Sequence, residues 1–344
     1  MQNHLINAPI FRHSDLKVIG NKIKIIKTKN FYSNESLAVK QNSKEFKSKK
    51  YALLNQDYKL FFDENKKKYF KRSEVLTSII KKKIKNKKSK ILDFGCNKGF
   101  LLSNLSKFKY KNLYGYDLGK YFKKFFQKKN IIFLEDFLDK KNFFDLIIFS
   151  HTLSYSQNIF KSMKLVKKIL KKNGIIFFNL QNIEKRPSNI FFGDQKYHFN
   201  KNMIKNFFSN YGKVSFINNS SLSHEFLFFV QTSNKIKKKL KKVNFLEINK
   251  AEKILYKIKK IRNESNVLGT NLNSALIVNI LKKKIKNIVL EKKTYFKNFL
   301  NIKIINLKEH KKKDIPLIVS FGKENSSIIK RLHKKYNLKK IISI

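Results

Sequence analysis

The sequence predicts an α/β protein built on an open, mostly parallel sheet, and three observations carry that prediction. Apolar runs of strand length alternate with helical periodicity from Lys90 to Ser233. One run, KILDF, feeds through a Gly95–Gly99 turn straight into a helix starting near Phe100. A shorter strand–helix alternation returns over residues 263–344, so a smaller α/β unit of related architecture follows the central one.

Residues 1–70 read as a small N-terminal module. KVIGNKIKIIKTKNFY alternates as a hairpin would, with Gly20–Asn21 as its turn, and the polar SNESLAVKQNSKEFKSKK reads as loop. From Tyr58 to Lys85 the pattern turns helical. Val75, Leu76, Ile79, Ile80 and Ile84 share one face, and Ser73 is the expected N-cap.

In the central unit, residues 71–233, strands are expected at 90–94, 112–116, 130–135, 144–149, 174–180, 213–217 and 225–231. Helices begin near Phe100 and Lys120, and two more run from Ile159 to Leu170 and from Lys201 to Tyr211. Asn173–Gly174 closes the third of these, while Asn200 and Gly212 bracket the fourth. The last two strands are joined only by Asn218 to His224, so they should pair antiparallel. Residues 234–344 open on a lysine-rich helical linker with apolar spacing at Leu240, Val243, Leu246, Ile248, Ile254, Leu255 and Ile258. There follow a glycine turn into a helix (VLGTNLNSALIVNIL), strands at KNIVLE, IKIINL and IPLIVSF, a helix at ENSSIIKRL and a closing strand, KKIISI.

Composition narrows the function classes. Hydrophobic residues at 42% and aromatics at 14% fit a folded chain of 344 residues with a sizeable core. No apolar run approaches the roughly 18 residues of a membrane span, and the N-terminus lacks a charged-then-apolar signal pattern. Cys96 is the only cysteine, which removes a disulfide framework and a cysteine-based metal site. No metal is expected, and a cytoplasmic location is the expectation. The net charge of +55 suggests a nucleic-acid partner, but only Arg12, Arg72, Arg186, Arg262 and Arg331 supply guanidinium groups. Lysine, asparagine, isoleucine and phenylalanine are enriched together, which fits an AT-rich coding bias. Nucleic-acid binding is therefore the minority reading. Nothing in the sequence indicates an oligomeric state.

The chemistry-bearing residues recur where strands end. A strand running through a glycine turn into a helix leaves backbone N–H groups free to hold a ligand. Asp93 sits at that strand's carboxyl end, where open α/β sheets bind ligands. Gly95 and Gly99 allow close backbone approach, and Asn97 tolerates positive φ between them. Asp117 closes the next strand about 20 residues on, at the position suited to a ribose hydroxyl pair. Asp136–Phe137 follow the third strand, where an acid can accept from an adenine amino group while a ring packs on its face. Ser150–His151 follow the fourth. Each alone also fits a plain strand end; together they outline a nucleoside-shaped site without a G-x-G-x-x-G pyrophosphate cradle.

DFGCNKGFLL, YGYDLG, LEDF and FDLIIFSHTLSYSQN resemble the successive motifs of class I S-adenosylmethionine-dependent methyltransferases. The turn Gly-Cys-Asn-x-Gly is similar to that of the multidomain members of deoxysugar and surface-polysaccharide pathways, including sugar C-methyltransferases. That resemblance implies a central Rossmann-like methyltransferase domain with an antiparallel C-terminal hairpin, a small N-terminal module and a second, smaller Rossmann-like α/β domain. It implies S-adenosylmethionine as cofactor and a small, sugar-like acceptor. Asp93, Gly95, Cys96, Asn97 and Gly99 would border the methionine part, Asp117 the ribose, and Asp136 and Phe137 the adenine, with Ser150 and His151 lining the pocket.

PSNIFFGDQKYHFNKNMI resembles the substrate-side segment, where Asp194 and His198 would act as an acid/base pair or orient a sugar hydroxyl. They could equally order the entry to the following helix. Three departures stand out. The N-terminal module lacks the family's zinc cysteines, and His4 and His13 cannot replace them. Gly193-Asp194-Gln195 replaces a His-Glu-His cluster. Leu153-Ser154-Tyr155 replaces Leu-Glu-His, so acid–base help there falls to Tyr155. An RNA methyltransferase and a cofactor-binding scaffold without catalysis are the alternatives.

Overall fold

A computed structural model describes residues 2–12, 16, 18–34, 60–63, 68–126, 130–233, 246–291, 297–311, 314–321, 325–338 and 340–344. Most of the polar stretch after Asn34, and the linker positions Leu240 and Val243, lie outside the described residues.

Strands β1 (Gln2–Phe11) and β2 (Val18–Lys27) pair antiparallel, and β3 (Tyr32–Asn34) adds to β2. The expected Gly20–Asn21 turn does not form, because Gly20 lies inside β2 opposite Ile10. What displaces it is β1. Pro9, which has no N–H to give a ladder, falls where the register slips between Asn7 and Ile10 and so breaks the alternation.

β4 (Leu60–Asp63) and β5 (Lys68–Lys71) form a two-stranded ladder where helical spacing was expected. Helix α1 starts only at Arg72 (Arg72–Lys83). Its N-cap is Lys71 rather than Ser73, since the Lys71 N–H donates to Glu74 Oε2 at 3.0 Å in a capping box. Ser73 is buried inside the first turn.

The central sheet follows in chain order as β6 (Lys90–Phe94), α2 (Phe100–Lys107), β7 (Asn112–Tyr116), β8 (Ile132–Leu134) and β9 (Phe144–Ser150). Then come α3 (Ile159–Ile169), β10 (Leu170–Gln181), β11 (Tyr197–His198), α4 (Lys201–Phe208), β12 (Gly212–Ile217) and β13 (Glu225–Thr232). Seven of these strands lie in the order β12-β13-β10-β9-β6-β7-β8. Only β13 runs against its neighbours, so the expected antiparallel pairing with β12 is present.

Three boundaries differ from the sequence pattern. The segment from Lys120 is a short 3₁₀ helix, Lys120–Phe125. α3 stops at Ile169 because Leu170 already pairs with Phe144; Asn173, at φ +60°, then carries the chain through an irregularity before the ladder resumes at Ile175. α4 ends at Phe208, and Gly212 opens β12. The Asn200 cap is formed as expected, its side chain accepting from the Met203 N–H at 2.9 Å.

β11 leaves the central sheet and pairs with β3, so the first sheet has the order β1-β2-β3-β11. After α5 (Leu246–Lys259) the chain builds β14 (Ser265–Leu268), α6 (Leu272–Leu281), β15 (Ile285–Leu290), β16 (Asn298–Phe299) and β17 (Ile302–Asn306). α7 (Leu307–Lys311), β18 (Leu317–Val319), α8 (Asn325–Tyr336) and β19 (Ile341–Ser343) complete a sheet ordered β16-β17-β15-β14-β18-β19, parallel except for β16.

Strand alternation assigns the two faces of the central sheet. Leu92, Ile147 and Phe178 pack into a cluster shared with Ile6, Ile25 and Tyr32 of the first sheet and Ile248 and Leu255 of α5. Ile91, Leu146, Ile148 and Phe177 pack on the other face with Leu76 and Ile80 of α1 and Leu102 of α2. Burying each such side chain contributes about 1.5–3 kcal/mol. Asp93 follows the parity of Ile91, so its carboxylate is carried to the α1 side of the sheet edge.

Candidate active site

β6 lies between β9 and β7, and the chain leaves it first towards β7 and β8, later returning to β9 and β10. That reversal opens a crevice at the strands' carboxyl ends. A cavity of about 530 Å³ fills it, of a size suited to a nucleoside and a small second molecule.

The turn after β6 forms one wall. The Gly95 and Cys96 N–H groups both donate to the Tyr116 carbonyl, at 2.7 and 3.0 Å, pinning the turn to β7. Gly95 adopts φ +87°, and a Cβ there would come 2.3 Å from Thr152 Oγ1, so no larger residue fits without displacement. Asn97 takes the left-handed conformation at φ +49°. Asp117 is held by two backbone donors, Asn97 N–H at 3.0 Å and Gly119 N–H at 2.9 Å.

The electrostatics of this wall call for a cation. Asp93 is 4% exposed and its Oδ1 has no hydrogen-bond partner. Burial, and then the neighbouring Asp117, push its pKa up to about 7. Burial also raises Asp117, with the Gly119 and Asn97 amides pulling the other way. The Cys96 thiol is pushed up by burial and then by both carboxylates. A ligand ammonium beside Asp93 would satisfy the orphaned oxygen and relieve that repulsion.

The β9 end supplies the opposite wall. Ser150 and His151 line the cavity, and His151 sits at φ +58° with its N–H donating to the Asn179 carbonyl at 2.9 Å. Its Nε2 lies 3.2 Å from Glu225 Oε1. Glu225 also meets Arg72, whose Nη2 and Nε donate at 2.6 and 3.1 Å, and His224 Nε2 lies 3.6 Å away. Burial alone would raise Glu225, but Arg72 and then the His151 contact hold its carboxyl well below the usual range. Burial, followed by Arg186, lowers His224 to about 3. Sequence reasoning missed Arg72, Glu225 and His224, for Arg72 and Glu225 stand 153 positions apart. The one available signal was an acid opening the apolar strand EFLFFVQ, which requires a buried partner.

The structure brings Asp93, Gly95, Cys96, Asn97, Asp117, Ser150, His151 and Tyr155 to the cavity wall. It does not bring Gly99, Asp136, Phe137, Asp194 or His198 there. Gly99 stands behind the turn as the N-cap of α2. Phe137 stacks on Phe94 with ring centroids 5.7 Å apart and lies 4.7 Å from Tyr116, both of which line the cavity. Asp136 is exposed and accepts from the Leu138 N–H at 3.1 Å.

Asp194 and His198 are both 2% exposed. Burial lowers His198 to about 4, and its ring bonds to the Gln195 backbone. One link from this segment to the cavity is Gln195, whose Nε2 donates to the Tyr155 hydroxyl at 3.0 Å, and another is Lys196, whose Nζ donates to the Gln157 carbonyl at 2.8 Å.

Residues 64–227 match the family described as a methyltransferase domain. No curated protein matches the chain. Among solved structures, a Pyrococcus horikoshii OT3 protein is 14% identical, covering 47% of this chain and 90% of its own at a TM-score of 0.38. A SAM-dependent methyltransferase from Archaeoglobus fulgidus is 16% identical, covering 47% and 95% at a TM-score of 0.38. Likeness at these scores carries no argument of its own. The stretch that matches the methyltransferase-domain family, residues 64–227, contains the whole cavity wall, and the cofactor expected from that match is S-adenosylmethionine.

Proposed function

We propose that this chain moves the S-methyl group of S-adenosylmethionine to a small, sugar-like acceptor in surface-polysaccharide or related biosynthesis, from a cytoplasmic location. One observation carries the reading: the cavity is chemically two-sided. Towards β6 and β7 it offers the buried carboxylates and the glycine turn; towards α3 it offers Tyr155, Ser156, Gln157, Asn158, Lys161 and Ser162. Hydroxyls and amides at that density suit an acceptor carrying several hydroxyl groups. Among the described residues, no helix is long and apolar enough to cross a membrane.

In this reading Asp93 receives the methionine ammonium, with Gly95, Cys96 and Asn97 close against the same chain and Gly99 holding the turn from behind. Asp117 accepts from the ribose hydroxyls. Phe137, with Asp136 beside it, supports the adenine side through Phe94 and Tyr116. Ser150 and His151 close the β9 side. Bound S-adenosylmethionine would supply a sulfonium methyl for in-line transfer to an aligned nucleophile, leaving the thioether product, with a base taking the proton where that nucleophile is a hydroxyl. Tyr155 orients the acceptor hydroxyl, and Asp194 and His198 act from behind it through the Gln195 segment. The division into residues 1–70, 71–233 and 234–344 belongs to the same proposal.

Asp117→Ala should weaken S-adenosylmethionine binding by about 1–3 kcal/mol, the usual cost of stranding buried donors. Isothermal calorimetry checks it, and an unchanged affinity removes Asp117 from the ribose position. For the acceptor, methyl-labelled cofactor is incubated with a panel of nucleotide sugars and with RNA. Label appearing in a sugar supports the proposal. Label in RNA alone, or cofactor binding with no transfer to any member of the panel, overturns it.

A further inference from the structure

Resting on the sugar-acceptor reading above, we infer that the methylated sugar is the end of an acidic glycan. That chain, made of carboxylate-bearing sugars, leaves the cavity along α3 and lies on a stripe of lysines there.

The path is continuous. Lys161 lines the main cavity and also a second, open groove of about 560 Å³, whose other lining residues are Lys164, Leu165, Lys167 and Lys168. Packing decides which side chains reach that groove. α3 buries Ile159, Met163, Val166 and Ile169, so the helical repeat turns Lys161, Lys164, Leu165 and Lys168 to the opposite side. At 1.5 Å of rise per residue, the three lysines stand about 4.5 and 6 Å apart along the axis. That spacing supplies close to one positive charge per sugar ring. Leu165 and the lysine methylenes give the C–H face of a ring an apolar floor, with the ammonium groups reaching past it.

Lysine is abundant in this chain, so its number alone carries nothing. What marks the stripe is the missing answer to its charge. The sequence has no aspartate or glutamate between Asp145 and Glu184. Among the described residues Lys161, Lys164 and Lys168 form no ion pair, whereas Lys120 and Lys123 share Glu135, Lys286 meets Glu264 and Lys340 meets Asp314. Lys164 and Lys168 are one turn apart, where like charges destabilise a helix. Lys161 adds its charge to the first turn, which is already positive and holds no acidic residue. An anionic chain along α3 removes both penalties.

The lining favours a glycan over a nucleic acid. Among the described residues no aromatic ring lines the groove, so unstacked bases would find no platform there. Where the stripe meets the cavity, Ser156, Gln157, Asn158 and Ser162 offer hydroxyls and amides to a sugar instead.

The test is calorimetry on the full chain at low salt, where screening is weakest, with S-adenosylmethionine saturating. The probes are trigalacturonate, its neutral methyl ester, galacturonate and a uridine oligonucleotide of the same charge as the trimer. Trigalacturonate should bind at least fivefold more tightly than each of the other three. Lys164→Gln with Lys168→Gln should weaken the trimer at least fivefold. Lys330→Gln with Lys334→Gln, on the exposed side of α8, should leave it within twofold. Both pairs are exposed and glutamine suits a helix, so neither change should disturb folding or the affinity for S-adenosylmethionine. The inference is overturned if the two double variants weaken the trimer equally, if the methyl ester binds as well, or if the oligonucleotide binds more tightly. Failure of the acceptor reading looks different: the cofactor binds but its labelled methyl reaches no sugar, whatever the trimer does.

Discussion

Asp93→Asn should stabilise the cofactor-free protein at neutral pH and at the same time weaken cofactor binding at least tenfold. The sign follows from the raised pKa. Asp93 titrates near 3.8 when unfolded and at about 7 when folded, so between those values the folded state holds the extra proton. Its contribution is harmless below about pH 4, and stability is then lost progressively as pH rises, the penalty being complete above about pH 7. At 1.36 kcal/mol per unit the upper bound is on the order of 4 kcal/mol. Asparagine keeps the shape without the charge, so the variant should lack this slope and unfold at higher urea concentration at pH 8. Cofactor affinity should fall because the ammonium loses its counter-charge. Urea titrations at pH 5 and 8, with calorimetry beside them, check both halves. A variant that binds the cofactor as well as the parent would show that Asp93 is not the ammonium site.

Glu225→Gln should cost about 3 kcal/mol, at the lower end of what removing one member of a buried ion pair costs, since the Arg72 side chain is 28% exposed. The carboxylate is 1% exposed and answers Arg72, His151 and His224 together. Its pKa is held low, so the stabilisation is present above about pH 4.5 and is lost only as pH falls through the depressed folded value. The gap between parent and variant should therefore persist across neutral pH and narrow in acid. Because Arg72 and His151 line the cavity, cofactor affinity should drop alongside stability. Urea unfolding at pH 7 and pH 4 measures the gap, and a variant as stable as the parent at pH 7 would mean the pair contributes nothing net.

Local rules carried far along this chain. Ile91, Leu92 and Phe94 with Gly95 marked the first strand and turn, since burial and positive φ each leave a signature in a few consecutive residues. Asn200 marked a helix start by the same logic, and its cap is formed. The N-terminal sheet was hidden for a different reason. β11 is two residues long, and Tyr32, the partner of His198, lies 166 positions earlier, so neither periodicity nor turn chemistry announces the pairing. The site divided in the same way. The strand-end acids were visible because each closes an apolar run. The placement of His198 was not, because its burial depends on a sheet assembled from distant segments. Arg72 looked like one more surface cation among many lysines until Glu225 was brought against it.

Cys96, the chain's one sulfhydryl, stands in the cavity wall at 5% exposure with its ionisation suppressed by burial and two carboxylates. Alkylating reagents and peroxides attack the ionised sulfur, and at neutral pH almost none is present here. The protein therefore carries a thiol beside its reactive centre that is chemically quiet, shielded from electrophiles by the same charges that favour a cationic ligand.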